Sequence, residues 1–289
     1  MKSKKTFVAL LMILFTGSVF AQGVYFRVGA GYGLPAATST IGEKYLRTEI
    51  SGTNSTTSTY STEAVSASYG AGTNFTFALG YKFNENFLFD FDVHYLAGKK
   101  YETSNIYRYE STSYSGRQED IFSKSSSALY FNPSFVFSAG FGKAAPYGRF
   151  GIIASSPKVT SDESYYYDLD GVDNRSVTWE YKKGLALGYQ AAIGMNWKIN
   201  EKLDFYTEAD FVSMTYYAME GEMIKNINNG MDNLPQMSVA QKQITYMKKY
   251  DPQTPYDATK PQLAARVASP FSSFSAQVGI KFTIWEVVK

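Results

Sequence analysis

Residues 80–95, GYKFNENFLFDFDVHY, alternate large apolar with polar or small side chains on both sides of a three-residue hinge, Asn84-Glu85-Asn86. Successive side chains of a strand point to opposite faces, so a period of two describes a hairpin with one aromatic and one polar face. Phe75, Phe77, Leu79, Tyr81, Phe83, Phe87, Phe89, Phe91, Val93 and Tyr95 share the first face. The second carries Asn74, Thr76, Ala78, Gly80, Lys82, Asp90, Asp92 and His94. No amphipathic helix tolerates this period, and a hairpin with both faces so decorated must place each face in a different medium.

The plan recurs. GMNWKINEKLDFYTEADF (194–211) repeats the glycine, the aromatic, the lysine, a tight Asn-Glu turn and apolar residues alternating with acids, and FVFSAGFGKAAPYGRFGII (135–153) turns through residues 142–146. With these as anchors, eight alternating segments are predicted, roughly 24–33, 73–83, 87–97, 128–140, 147–155, 185–199, 203–216 and 273–285. Three connections are short. Four are long (34–72, 98–127, 156–184 and 217–272), polar and rich in Ser, Thr, Asn and Tyr, and long and short alternate strictly along the chain. A soluble sandwich could also be built from eight short strands, but its connections need not sort by end.

The chain opens MKSKKTFVALLMILFTGSVFAQG: Lys2, Lys4 and Lys5, an apolar run from Phe7 to Phe15, then small residues up to Ala21. This reads as a secretory signal peptide, residues 1–21, in preference to a membrane anchor, because the apolar run is shorter than the ~20 residues a spanning helix needs. Removing three lysines and no acid from 28 basic against 26 acidic residues leaves 25 against 26, so nothing points to a nucleic-acid partner. Cysteine is absent, which excludes disulfides and thiolate metal sites. Beyond the leader no apolar stretch reaches helical spanning length, so membrane insertion would have to use strands.

Volume decides which face points inward. An eight-stranded barrel has room for modest side chains or one small ligand; some twenty aromatic rings from this chain, which is 17% aromatic, do not fit. Turned outward they form a lipid-facing band. The band continues through Phe26, Val28, Phe131, Phe135, Phe137, Phe150, Ile152, Leu187, Ile193, Met195, Trp197, Phe205 and Phe211, and along the last segment through Phe274, Val278, Ile280, Phe282 and Ile284. Closure also removes unpaired strand edges from hydrocarbon. The expectation is an all-β chain, an eight-stranded antiparallel up-and-down transmembrane β-barrel over residues 22–289 with four long outer loops.

In this pattern the sequence resembles the small eight-stranded outer-membrane barrels of Gram-negative bacteria, of the kind seen in the OmpA transmembrane domain, here without a trailing peptidoglycan-binding domain. Its most specific piece is QVGIKFTI (277–284), in which Gln277, Gly279, Phe282 and Ile284 match the closing-strand signal read by the barrel-assembly machinery; the chain then continues through Trp285 instead of stopping on an aromatic. The resemblance implies residence in the cell outer membrane and, as partners, outer-membrane lipid, the barrel-assembly machinery during insertion, and an extracellular ligand or protein at the loops.

The polar face gathers charge. Arg27, Lys82, Arg149, Lys198 and Lys281 oppose Asp90, Asp92, Asp204, Glu208 and Asp210 in the inferred lumen. Buried charges must be paired or solvated, so five against five predicts a cross-linked plug, with a hydrated, weakly conducting pore as the alternative. Asp90, Asp92 and His94 lie at spacing two and invite a catalytic or metal reading. Same-face neighbours are ~6.5–7 Å apart along a strand and His94 is the chain's one histidine, so a lumen histidine within the polar network is preferred. No catalytic residue, metal or cofactor is expected. The first functional reading is therefore a non-enzymatic barrel with a structural or surface-interaction role, and the second is a narrow porin-like channel for ions or small solutes. Pro133, lacking a ladder donor, predicts a bulge or register change. Met237, Ala240, Ile244 and Met247 in the last loop stand at helical offsets and predict a short amphipathic helix over the barrel mouth. The Tyr, Ser and Asn of the loops suit either adaptable recognition or solvated filler.

Overall fold

The computed structural model describes residues 23–52, 55–111, 115–139, 143–168, 172–253 and 255–286. The signal-peptide expectation lies outside these residues. The described chain is almost wholly extended, in eighteen strands: β1 (Gly23–Pro35), β2 (Ser39–Ser51), β3 (Thr56–Ala67), β4 (Gly72–Lys82), β5 (Phe87–Gly98), β6 (Tyr101–Ser111), β7 (Ser115–Ser138), β8 (Ala144–Ser155), β9 (Lys158–Asp168), β10 (Val172–Lys182), β11 (Ala186–Lys198), β12 (Leu203–Tyr217), β13 (Glu220–Asn228), β14 (Met231–Asp232), β15 (Gln243–Met247), β16 (Gln262–Ala265), β17 (Ala268–Pro270) and β18 (Ser273–Glu286).

The eight expected segments correspond, to within a few residues at their ends, to β1, β4, β5, the second half of β7, β8, β11, β12 and β18. Their antiparallel pairings, β1–β4, β4–β5, β5–β7, β7–β8, β8–β11, β11–β12, β12–β18 and β18–β1, form a closed circuit. Strand number departs from expectation because the long connections are themselves extended. Their Thr, Tyr and Val favour a pleated surface, and each begins at a strand end whose ladder can continue. β7 makes the transition visible: 24 residues, about 80 Å at strand rise, with its first half paired to β6 and β9 and its second half to β5 and β8. Beyond the circuit the order β3-β2-β6-β7-β9-β10-β13-β15-β16 makes an open sheet.

Two further expectations are corrected. The helix of the last loop is a single turn, Val239–Lys242, after which Ile244 and Met247 lie in β15, because the free edge of β13 offers Gln243, Ile244 and Thr245 a ladder. At Pro133 there is no register change. The β7–β8 pairs Tyr130↔Ser155, Phe131↔Ala154 and Ser134↔Gly151 keep one register, and pairing lapses at Asn132 and Pro133, where the ring has no N–H to give.

The faces sort as alternation requires. Phe75, Phe77 and Leu79 are each 52% exposed, whereas Asn74, Thr76 and Ala78 are buried inside the circuit. The two Asn-Glu turns are built alike: Asn84 Oδ1 accepts from the backbone N–H of Asn86 and Phe87, and Asn200 Oδ1 from Lys202 and Leu203, so each asparagine closes its own turn. Glycines on the inner face make room for three aromatic rings inside the barrel. Tyr25 lies across Gly80, Tyr147 across Gly194, and Tyr206 across both Gly29 and Gly279; a Cβ at any of these glycines would strike the ring.

Candidate functional site

The lumen residues come from every second strand of the circuit. Arg27 (β1), Asp90 and Asp92 (β5), Arg149 (β8) and Glu208 (β12) project inward and meet on the axis. Arg27 Nη2 stands 3.0 Å from both Asp90 Oδ2 and Asp92 Oδ1, and its Nη1 3.4 Å from Glu208 Oε2. Arg149 pairs with Asp92 through one terminal nitrogen and with Glu208 through the other. Each side chain is at most 4% exposed. Two planar guanidinium forks thus bridge two shared carboxylates, a geometry that lysine could not supply. Neutral donors complete it: the Tyr25 hydroxyl to Asp90, Tyr147 to Glu208 at 2.9 Å, and Ser134 to Asp92 at 3.1 Å. The Arg27 guanidinium also lies 5.0 Å from the centre of the Tyr206 ring.

The eleven charged and titratable residues predicted to form one network fall into three tiers. Toward the short turns a cavity of about 350 Å³ is lined by Lys82, Lys198, Lys281 and Asp204 and reaches down to Arg27 and Asp90. There Lys281 pairs with Asp204 at 2.9 Å in a partly exposed setting. The five-residue cluster is the middle tier. Above it His94 and Asp210 join through neutral groups: Thr76 Oγ1 is 2.9 Å from His94 Nδ1 and donates to Gln277 Oε1 at 3.0 Å, and Gln277 Nε2 donates to Glu208 at 3.2 Å and to Asp210 at 2.6 Å. The split follows from depth, since residues four to six apart on one strand are roughly 13–20 Å apart along it.

Farther toward the long connections the polar filling gives way to an apolar one. Leu96, Tyr130, Ile153, Val212, Met214 and Tyr216 from the circuit pack with Tyr69 and Phe271 from the connecting segments. Tyr216 and Phe271 are fully buried, and the Phe271 ring contacts Tyr69 at 5.8 Å and Tyr216 at 5.7 Å between centroids. Two backbone bonds hold the inserted segments, Tyr69 N–H to Pro270 O (2.8 Å) and Phe271 N–H to Met214 O (2.9 Å).

Sequence reasoning missed the tyrosines and the apolar filling. A signal for the tyrosines existed: Tyr25, Tyr147 and Tyr206 each stand two residues before Arg27, Arg149 and Glu208, on the same face. Of the closing-strand signal, Gln277 is a lumen residue, Gly279 receives the Tyr206 ring, and Phe282 and Ile284 belong to the outer face, where Phe282 meets Phe26 at 5.4 Å.

A sheet closed on itself, apolar outside and ionic within, defines a membrane β-barrel. The family profile of the outer membrane protein beta-barrel domain matches residues 7–239, and the chain belongs to that family; it is an outer-membrane protein. Among solved structures it is similar to the outer membrane protein OprG from Pseudomonas aeruginosa, with 11% identity over 92% of this chain and 97% of that one and a TM-score of 0.39. It is also similar to CarO2 of Acinetobacter baumannii, with 10% identity over 92% and 99% of the two chains and a TM-score of 0.31. No curated protein matches.

Proposed function

We propose that the closed circuit is an eight-stranded transmembrane barrel of the OmpA transmembrane-domain type, whose lumen is plugged and whose role is structural or surface-interacting rather than catalytic. The short turns face the periplasm and the long connections face outward. The observation that carries this reading is the succession of two barriers along one axis: the cluster of Arg27, Arg149, Asp90, Asp92 and Glu208, and above it the apolar seal around Phe271. A permeating ion would have to break charge-assisted bonds in the first and desolvate in the second, each at a cost of several kcal/mol. His94, buried and engaged with a Thr76 hydroxyl that is itself committed to Gln277, supports the non-enzymatic reading. Function then lies in the outer sheet, a rigid platform for an extracellular ligand or protein, with lipid around the barrel and the assembly machinery engaging the segment from Gln277 to Ile284.

The second reading is a narrow channel, favoured by the 350 Å³ cavity that already reaches Asp90 from one end. Single-channel recording of the refolded protein in a planar bilayer separates the two. The plugged barrel gives no stable unitary current; a steady conductance at modest voltage overturns it in favour of the channel.

A further inference from the structure

Between the ionic cluster and the apolar seal lies a cavity of about 20 Å³, lined by Asn74, His94, Tyr130, Gln190, Asp210 and Ser275 among others. That is room for one small occupant, since a water-sized sphere needs about 10–15 Å³. Three buried polar atoms in its wall lack a protein partner: His94 Nε2, Asn74 Oδ1 and Tyr130 Oη, on residues 5%, 9% and 6% exposed.

The hydrogen-bond chain fixes what those atoms offer. Gln277 spends both N–H groups on Glu208 and Asp210, so its oxygen takes the Thr76 proton. Thr76 must then accept from His94 Nδ1, which leaves Nε2 as a bare lone pair. Asn74 likewise presents an oxygen. Apart from the Tyr130 hydroxyl, which can turn either way, the three orphaned groups are acceptors.

Charge points the same way. In the sealed part of the lumen Arg27 and Arg149 face Asp90, Asp92, Glu208 and Asp210, two positive against four negative. Asp92 and Glu208 each touch both arginines and Asp90 touches one, but Asp210 has only the neutral amides of Gln277 and Gln190, with no Lys or Arg at ion-pair distance among the described residues. A neutral occupant would add hydrogen bonds and leave that carboxylate uncompensated; a cation answers both needs.

We propose that this cavity binds one monovalent cation of sodium size, held by oxygen ligands alone, the Asp210 carboxylate with Asn74 Oδ1 and Tyr130 Oη, and that the ion is part of the plug. A single carboxylate among neutral ligands suits one charge rather than two. The proposal rests on the sealed-lumen reading, and the two fail differently: steady conductance sinks the seal, whereas sodium-indifferent stability in a non-conducting barrel sinks only the site.

The test is urea unfolding of the full mature chain refolded into phosphatidylcholine vesicles, in sodium chloride and in choline chloride at equal pH and ionic strength. Sodium at about ten times its dissociation constant should raise the folded-to-unfolded ratio about tenfold, and choline, too large to enter, should not. Asp210→Asn should abolish the difference. Tyr130→Phe, which keeps the ring and loses one ligand, should shrink it and serves if the first variant does not refold. Equal midpoints for wild type in both salts would overturn the site.

Discussion

Replacing Arg149 by methionine is the sharpest probe of how dry the lumen is. Arg149 and its two carboxylate partners are 1%, 0% and 1% exposed at the side chain, so its loss strands negative charge out of water. Breaking a buried pair by deleting one partner costs about 3–5 kcal/mol. Here the lower half of that range is expected, because Asp92 keeps Arg27 at 3.0 Å and Ser134 at 3.1 Å, and Glu208 keeps Arg27 at 3.4 Å, Tyr147 at 2.9 Å and Gln277 at 3.2 Å. The internal control is Lys281→Gln. Its pair with Asp204 also lies at hydrogen-bonding distance, 2.9 Å, but the side chains are 16% and 20% exposed beside the open cavity, and a solvated pair is worth about 0–1 kcal/mol. Urea unfolding in lipid vesicles, followed by tryptophan fluorescence and by the gel shift between folded and heated barrels, measures both. Adding Glu208→Gln to Arg149→Met should cost less than the sum of the two single changes, since each removes part of the other's penalty. Equal losses below about 1 kcal/mol for Arg149→Met and Lys281→Gln would refute the argument, because they would mean that water reaches the central cluster as freely as the rim.

The inside-outside assignment is tested in the same strand. Ile280 is 42% exposed on the outer face between Val28 and Phe205, so Ile280→Arg should cost about 2–4 kcal/mol in lipid near the midplane, and folding as well as wild type would place that face in water. A second test concerns the glycines under Tyr206: Gly29→Ala should overpack the barrel by about 1–3 kcal/mol and be largely relieved by Tyr206→Phe, since the hydroxyl is the atom its Cβ strikes first. Gly279→Ala should not be relieved by Tyr206→Phe, because its Cβ also meets the Val28 carbonyl oxygen; identical behaviour of the two glycines would show that the ring is not what they accommodate.

What was legible in the sequence is what depends on period and composition alone. Segments such as β4, β5 and β18 alternate so regularly that their extent and their lipid face follow from the residues, and Arg27, Asp90, Asp92, Arg149 and Glu208 follow as lumen residues from parity. How charges on one face divide among partners was not legible, because parity gives the side of the wall and not the depth along the axis. Lys281 and Arg27 are both lumen cations facing one another across the β1–β18 ladder, yet one points into an open vestibule and the other into the dry cluster. The long connections were read as loops because Ser, Thr and Asn are common in both loops and exposed strands, and only pairing partners separate the two; β3, TTSTYSTEAVSA, is a strand because β2 lies beside it. The Val239–Lys242 turn stops after one turn for the same kind of reason, an available strand edge outweighing helical offsets that are weak without length. The seal is the extreme case. Phe271 meets Tyr69 across some two hundred residues of chain, neither belongs to an alternating segment, and nothing local distinguishes them from other loop aromatics. In the proposed plug this contact is what closes the lumen, so the feature that most strongly separates that reading from a pore is the one written only in three dimensions.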